Sequence, residues 1–351
     1  PSWSPGADLI NPSSYTSAVL LTQTRTYTLT VTDAEGCTAT DSVNIQLNPL
    51  PDIGLTPDTA ICAGASVLLS AGGGNQFAWS PTAGLSSVST PTLMASPAST
   101  TTYQVMVTDV NGCENTDEVT LTVNELPEAN AGDDQQICEG SSALLLASGG
   151  SSYVWSPAIG LSDASIQNPV ATPTTSTTYQ LTVEDANGCT DEDSIQITVV
   201  PNPVANAGAD TSYCSGESVI LQASGGVSYD WSPAIDIDDP ASPSPSIFSD
   251  QSRWYRLTVK DINECEDIDS VFVNVFDLPV ATVSPDTSIC AGDSISLLAS
   301  GGDIYTWSPA NGLSNDGIAS PMASPDATTA YLVSVQDANG CVNTAEVSLT
   351  I

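Results

Sequence analysis

The sequence predicts an all-β protein built as a tandem array of small antiparallel β-sandwiches, and three observations carry that prediction. First, a 76-residue register runs through the 351 residues without insertion or deletion, with Trp3, Trp79, Trp155, Trp231 and Trp307 each opening a Trp-Ser-Pro tripeptide. Second, two cysteine series keep the same step: Cys62, Cys138, Cys214, Cys290 and Cys37, Cys113, Cys189, Cys265, Cys341. Third, each repeat is a string of short apolar-polar alternations punctuated by Gly, Pro, Asn and Asp, with no helical period. A strict period of this length marks domains that each fold much as their neighbour does.

The register sets the modules: 1–51 (partial), 52–127, 128–203, 204–279 and 280–351 (nearly complete). Pro1 enters just before a Trp-Ser-Pro and Ile351 stops within a strand, which reads as a window onto a longer array. Junctions at Leu50-Pro51, Leu126-Pro127, Asn202-Pro203 and Leu278-Pro279 leave almost no linker. Neighbouring modules are therefore expected to abut and form a stiff rod.

The 280–351 module shows the elements in order. Val280 to Val283 is a short edge strand, Thr287 to Cys290 continues it, and Ala291-Gly292-Asp293 turns the chain. Ser294 to Ala299 alternates Ile295, Leu297 and Ala299 against Ser294, Ser296 and Leu298, as a half-buried strand does. After Gly301-Gly302, Ile304 to Trp307 is a third strand, ended by Ser308-Pro309 because proline cannot donate to a ladder. Ile318 to Ser324 offers one or two short strands, and Thr328 to Gln336 is the clearest of all, with Tyr331, Val333 and Val335 on one face. Asp337-Ala338-Asn339-Gly340 is a hairpin turn, and Cys341 and Glu346 to Ile351 finish the module. Some seven short strands describe a sandwich.

The other modules repeat this pattern, with Tyr103, Tyr179 and Tyr255 matching Tyr331. Trp79, Trp155, Trp231 and Trp307 read as core, a bulky aromatic on the third strand being how so small a sandwich fills its centre. The competing reading is an exposed platform for stacking sugars.

Four Lys and Arg against 41 Asp and Glu give a net charge of −37, and histidine is absent. Such a surface repels nucleic-acid phosphates, and it suits either a solvated acidic coat or carboxylates that bind Ca²⁺. Nine cysteines beside turn residues read as disulfides formed in an oxidising compartment, hence outside the cell. Zinc does not fit, since there is neither a CxxC pair nor a histidine. No signal peptide, lipidation motif or apolar run of about 18 residues is visible, so no part of the segment is expected to enter a membrane.

Pro203-Val204-Ala205-Asn206-Ala207-Gly208, the Gly216 to Ser218 turn, Tyr229-Asp230-Trp231 and Tyr255-Arg256-Leu257-Thr258-Val259 with Asp261 resemble the PKD-type Ig-like domain. The variant with Cys before the second strand and Asn-Gly-Cys after the sixth, as at Asn339-Gly340-Cys341, is similar to repeats in giant surface proteins of Bacteroidota, including gliding-motility adhesins and other type IX secreted proteins. The resemblance covers the whole chain and implies tandem Ig-like (PKD-like) sandwiches serving as spacers, adhesins or enzyme appendages. Where the PKD pattern has Gly-Asp-Gly after its Trp, this chain has Ser-Pro, so no ligand site carries over from that loop.

Cysteines could pair within a module, as Cys62 with Cys113, Cys138 with Cys189, Cys214 with Cys265 and Cys290 with Cys341. In an Ig-like sandwich the second and sixth strands run the same way, which puts the two cysteines at opposite poles, roughly 25 Å apart. Bridged Cα atoms sit only about 4.4–6.8 Å apart. Pairing between neighbouring modules gives Cys62–Cys189, Cys138–Cys265 and Cys214–Cys341, leaving Cys37, Cys113 and Cys290 unpaired. Bridges between chains are a third possibility.

Asp109-Val110-Asn111-Gly112 and its copies at Asp185, Asp261 and Asp337 resemble the start of a Ca²⁺ loop but lack its closing Glu, which favours a plain hairpin turn. Asp236, Asp238 and Asp239 form a denser acidic loop and are the candidate Ca²⁺ ligands, Ca²⁺ being the only cofactor suggested. The triplets around Ser42, Thr59, Ser194, Ser270 and Ser294 match the short Asp-Ser/Thr-aliphatic O-glycosylation pattern that the Bacteroidota resemblance implies. Arg253, Arg256 and Lys260 are read as offsetting Asp261, Glu264 and Asp267. Nothing supports catalysis, since a Ser or Cys nucleophile would lack its histidine. The reading is a structural or adhesive surface protein, a rod or filament whose partners are neighbouring copies or modules, surface glycans or other cells. The alternative is the carbohydrate-binding or spacer region of a secreted polysaccharide-degrading enzyme.

Overall fold

A computed structural model describes residues 1–351, and every regular element in it is a β-strand. Two compact units are distinguished: Pro1–Asp133 with Leu144–Val170 and Thr178–Ile195, and Asp134–Ala143 with Ala171–Thr177 and Gln196–Ile351.

In the second unit, module 204–279 is built from β1 (Thr211–Cys214), β2 (Val219–Ile220), β3 (Ser228–Ser232), β4 (Ser246–Ile247), β5 (Arg253–Lys260) and β6 (Glu266–Phe276). One sheet has the order β1-β6-β5-β3 and the other pairs β2 with β4. The pairing is not wholly antiparallel: β1 runs parallel to β6, Thr211 facing Val273 and Cys214 facing Phe276. The other pairs are antiparallel, Trp231 lying opposite Leu257 and Tyr255 opposite Val271.

Alternation along β5 decides what is inside. Tyr255, Leu257 and Val259 are fully buried, joined by Trp231, Val271 and Val273 from the same sheet and by Leu221 and Ile247 from the other. The indole of Trp231 is 1% exposed and its Nε1–H donates to the Ser242 carbonyl at 3.1 Å, so the ring is buried without orphaning its one donor. Each counterpart bonds a carbonyl eleven residues on: Trp79 to Thr90 at 3.0 Å, Trp155 to Ile166 at 3.1 Å, Trp307 to Ile318 at 2.9 Å. These four tryptophans are core side chains, at most 3% exposed, and present no face to a sugar. The Gly225-Gly226 turn needs its first glycine, since a Cβ on Gly225 (φ 108°) would lie 1.9 Å from the Val204 carbonyl oxygen.

Module 280–351 repeats this scheme with three departures from the sequence reading. Thr287–Ser288 does not continue the first edge strand but changes sheet: Thr282–Val283 pairs with Ala299–Ser300, whereas Thr287–Ser288 runs parallel to Leu349–Thr350. The continuous strand expected over 294–299 is two short pieces, Ile295–Ser296 and Ala299–Ser300, because the chain changes partner, from Met322–Ala323 to Thr282–Val283. The last strand starts at Val342, not Glu346, and pairs back from Gln336 onward. Its polar start hides it from a hydrophobicity pattern, since half-buried Asn343 is satisfied by its Nδ2–H bond to the Pro279 carbonyl at 3.0 Å.

In the first unit, module 52–127 has the same six strands, from Thr59–Cys62 to Glu114–Asn124, around Leu69, Trp79, Tyr103, Val105 and Leu121. Segment 1–51 supplies only Ser2–Ser4, Arg25–Thr32 and Thr38–Ile45. With no strand equivalent to Val67–Ser70 over it, Val43 is 44% exposed, whereas its counterpart Val119 is 1% exposed.

Candidate functional site

Three disulfides join successive modules: Cys62–Cys189 in the first unit, Cys138–Cys265 and Cys214–Cys341 in the second, with Cα separations of 5.6, 5.5 and 5.6 Å. The strands explain why the within-module pairs do not form. Cys62 lies beside Asn124, the last residue of an eleven-residue strand, while Cys113 immediately precedes its first, Glu114. At about 3.3 Å per residue the two sit about 36 Å apart. Cys214, beside Phe276, is separated from Cys265 in the same way.

Each bridge joins two differently built supports. The upstream cysteine ends a short strand and opens a turn, as where the Ala65 N–H donates to the Cys62 carbonyl at 3.0 Å. The downstream cysteine sits in a hairpin organised by aspartate: the N–H groups of Asn187 and Cys189 both donate to Asp185 Oδ1 at 2.8 Å. The same bond holds Cys113 to Asp109, Cys265 to Asp261 and Cys341 to Asp337, at 2.8–2.9 Å. Donation from Cys113 and Cys189 to these carboxylates pulls Asp109 and Asp185 below the ordinary carboxylate range. These aspartates thus order a cysteine hairpin, the plain turn expected from the missing closing Glu. Bridged Cys189, Cys265 and Cys341 are fully buried, whereas unbridged Cys113 is half-buried and unbridged Cys37 and Cys290 are exposed. Beside the Cys138–Cys265 bridge, Gln136 Nε2–H donates to Asn263 Oδ1 at 3.0 Å.

The acidic loop of module 204–279 uses its carboxylates locally. Asp236 pairs with Arg253 at 3.3 Å, Asp238 accepts from the Asp239 and Ser246 N–H groups, and Asp239 accepts from Ala241. No three His, Cys, Asp or Glu side chains anywhere in the chain are grouped to share a metal ion. Ser42, Ser194, Ser270 and Ser294 are exposed and Thr59 is half-buried.

Two features escaped the sequence reading. Asp58, Asp134, Asp210 and Asp286, also 76 residues apart, each accept at 2.8 Å from a backbone N–H of the module's last strand, those of Thr120, Gln196, Phe272 and Ser348. Their spacing was the available signal. The cations meet the expectation in part: Lys260 pairs with Glu264 at 3.6 Å as expected and also with Glu266 at 2.9 Å, whereas Asp267 accepts from the Ala205 N–H, Arg253 pairs with Asp236 and Arg256 pairs with no carboxylate. Beside Arg256, Trp254 is 58% exposed and meets Phe272, ring centroids 5.2 Å apart. Trp254 breaks the repeat, where Thr102, Thr178 and Ala330 hold the same register.

No family model matches the chain, and no curated protein matches it. Solved structures of tandem Ig-domain proteins do. The N-terminal eight Ig domains of Down Syndrome Cell Adhesion Molecule are 14% identical over 99% of this chain, with a TM-score of 0.36, and the chain spans 56% of that structure. Sidekick-1 immunoglobulin domains 1–5 are 14% identical over 93% of this chain and 86% of theirs, with a TM-score of 0.27. The insect immune protein hemolin is 12% identical over 85% and 99%, with a TM-score of 0.26.

Proposed function

We propose that the chain is an extracellular adhesive repeat protein that holds a bacterial surface to other cells, to glycans or to a substratum, in attachment or in gliding. The observation that carries this reading is the serial bridge: each of three turn cysteines is bonded 127 residues ahead, into the hairpin of the next module. The three loops overlap in sequence, so a pull along the chain meets a covalent bond at every module boundary between Cys62 and Cys341. A catalytic appendage has no need of such reinforcement, whereas a load-bearing tether does. Persistent disulfides fit an oxidising, extracellular setting. With the four repeat tryptophans inside the core, they offer the sugar-binding alternative no stacking platform.

Single-molecule force spectroscopy tests the reading. The chain, tethered at both ends, should unravel only outside and between its closed loops, and should gain contour length sharply once dithiothreitol is added. Probes coated with the chain should show retraction adhesion on cell or glycan surfaces. Equal extension with and without reductant, or absence of adhesion on all surfaces tried, would overturn the proposal.

A further inference from the structure

The outward face of β5 in module 204–279 differs from its counterparts in every other module. Trp254, Arg256, Thr258 and Lys260 point away from the core, with Phe272 opposite Trp254 and Ser232 and Ser270 flanking Arg256. The register of Trp254 and Arg256 is held by Thr26 and Thr28, Thr102 and Gln104, Thr178 and Gln180, and Ala330 and Leu332 elsewhere. In a chain with 41 acidic residues, Arg256 is exposed and unpaired, and it stands beside a half-exposed aromatic pair. An unpaired guanidinium next to exposed rings is the composition of an interface core.

The matching face of module 128–203 has the opposite character. It is a shallow groove of about 690 Å³ lined by Pro157, Thr178, Gln180, Glu192 and Asp193 among others. Glu192 is exposed at its rim, held by Gln180 Nε2–H at 2.7 Å. The first face presents an aromatic pair beside one unpaired guanidinium, with exposed Asp230 and the Lys260–Glu266 ion pair further along it; the second is concave and anionic.

We propose that these two faces bind each other between copies of the chain. Trp254 of one molecule packs on Pro157 of another, and Arg256 takes the Glu192 carboxylate, a charge-assisted pair that a planar guanidinium suits. A four-stranded face about 19 Å by 26 Å offers about 500 Å² per partner, or about 1,000 Å² in all, below the standard size of a stable complex. The contact is therefore weak singly, with Kd of about tens to hundreds of micromolar, and gains strength through repetition. It rests on the adhesive reading only in giving that reading a partner, and its test is independent.

Each copy carries −37, so long-range repulsion opposes contact until salt screens it. The Debye length falls from about 30 Å at 0.01 M to about 8 Å at 0.15 M and about 3 Å at 1 M. Self-association should be absent at 10 mM salt, present at 150 mM and weaker again at 1 M.

The experiment is sedimentation equilibrium of the whole chain with its three free thiols alkylated, so that no new disulfide can link copies. The mean mass should rise above 36.0 kDa with concentration. Arg256→Glu alone and Glu192→Arg alone should each remain monomeric, and an equimolar mixture of the two should associate as the wild type does. Unchanged melting would show that both variants fold. A wild type monomeric at every salt and concentration, association persisting in Arg256→Glu, or a mixture that fails to recover would overturn the proposal. So would a monomeric wild type that binds polygalacturonate through Arg256, which would assign the face to an anionic glycan. Surface adhesion surviving in Arg256→Glu would leave the adhesive reading standing while the mixture decides the docking.

Discussion

The backbone N–H of Cys189 is held by Asp185 Oδ1 at 2.8 Å, so the carboxylate organises the hairpin that carries one sulfur of an inter-module bridge. Asp185→Ala removes an acceptor shared by two N–H groups, one of them belonging to a fully buried cysteine. The hairpin then has to hold Cys189 in place without its organiser. Oxidative refolding of the variant should give slower Cys62–Cys189 formation by peptide mapping, and the native variant should melt about 4–8 °C lower, as for a loss of about 1 kcal/mol. Refolding kinetics equal to the wild type would mean that the bridge guides itself.

The same bonds give a pH dependence. Hydrogen bonds from the hairpin cysteines hold Asp109 and Asp185 below their ordinary value, and the Ala205 N–H does the same for Asp267. A carboxyl depressed in the folded state contributes stability that is complete above its unfolded pKa, 3.8 here, and is lost as pH falls through the folded value. Mutual repulsion within a chain of −37 acts the other way, easing as acid reduces the net negative charge. The melting temperature should therefore hold or rise from pH 7 toward pH 5 and fall steeply below about pH 4. The double variant Asp109→Asn, Asp185→Asn keeps an acceptor but cannot titrate, and its acid limb should be shallower.

Thiol accessibility should sort the nine cysteines into three classes. Exposed Cys37 and Cys290 should react with maleimide within minutes under native conditions, half-buried Cys113 more slowly, and the six bridged cysteines only after reduction. Mass spectrometry of the unreduced protein should find three adducts. A fourth would show that one bridge is open in a fraction of molecules.

Most of the module was legible because its signals are local: alternation in Thr329–Gln336, glycine at the Gly301 turn, a repeated Trp and Tyr for the core. The opposite poles of the two cysteine series followed from the strand directions of an Ig-like sandwich, which made the pairing between modules one of three readings left open. What stayed hidden depends on bonds that leave no hydrophobic trace. The parallel pairing of Thr211–Cys214 with the last strand is set by how the chain enters the module, and the Asp210 bond to Phe272 by a contact 62 residues away. Trp254 was visible as a break in the period, but only its exposure beside an unpaired Arg256 gives the break a meaning.

The bridge Cys214–Cys341 should also be measurable as stability. It closes a 127-residue loop in the unfolded chain, and removing such a constraint costs about 2–4 kcal/mol. For a domain of this size each kcal/mol shifts the midpoint by about 4–8 °C, so the double variant Cys214→Ser, Cys341→Ser should lower its transition by about 10 °C or more. Cys290→Ser in the same module removes an exposed thiol with no bond and should leave the transition within about 1 °C. The contrast separates the bridge from the loss of sulfur itself. Equal midpoints for the double variant and the wild type would mean that the modules unfold independently of the link, which then acts under load and not at equilibrium.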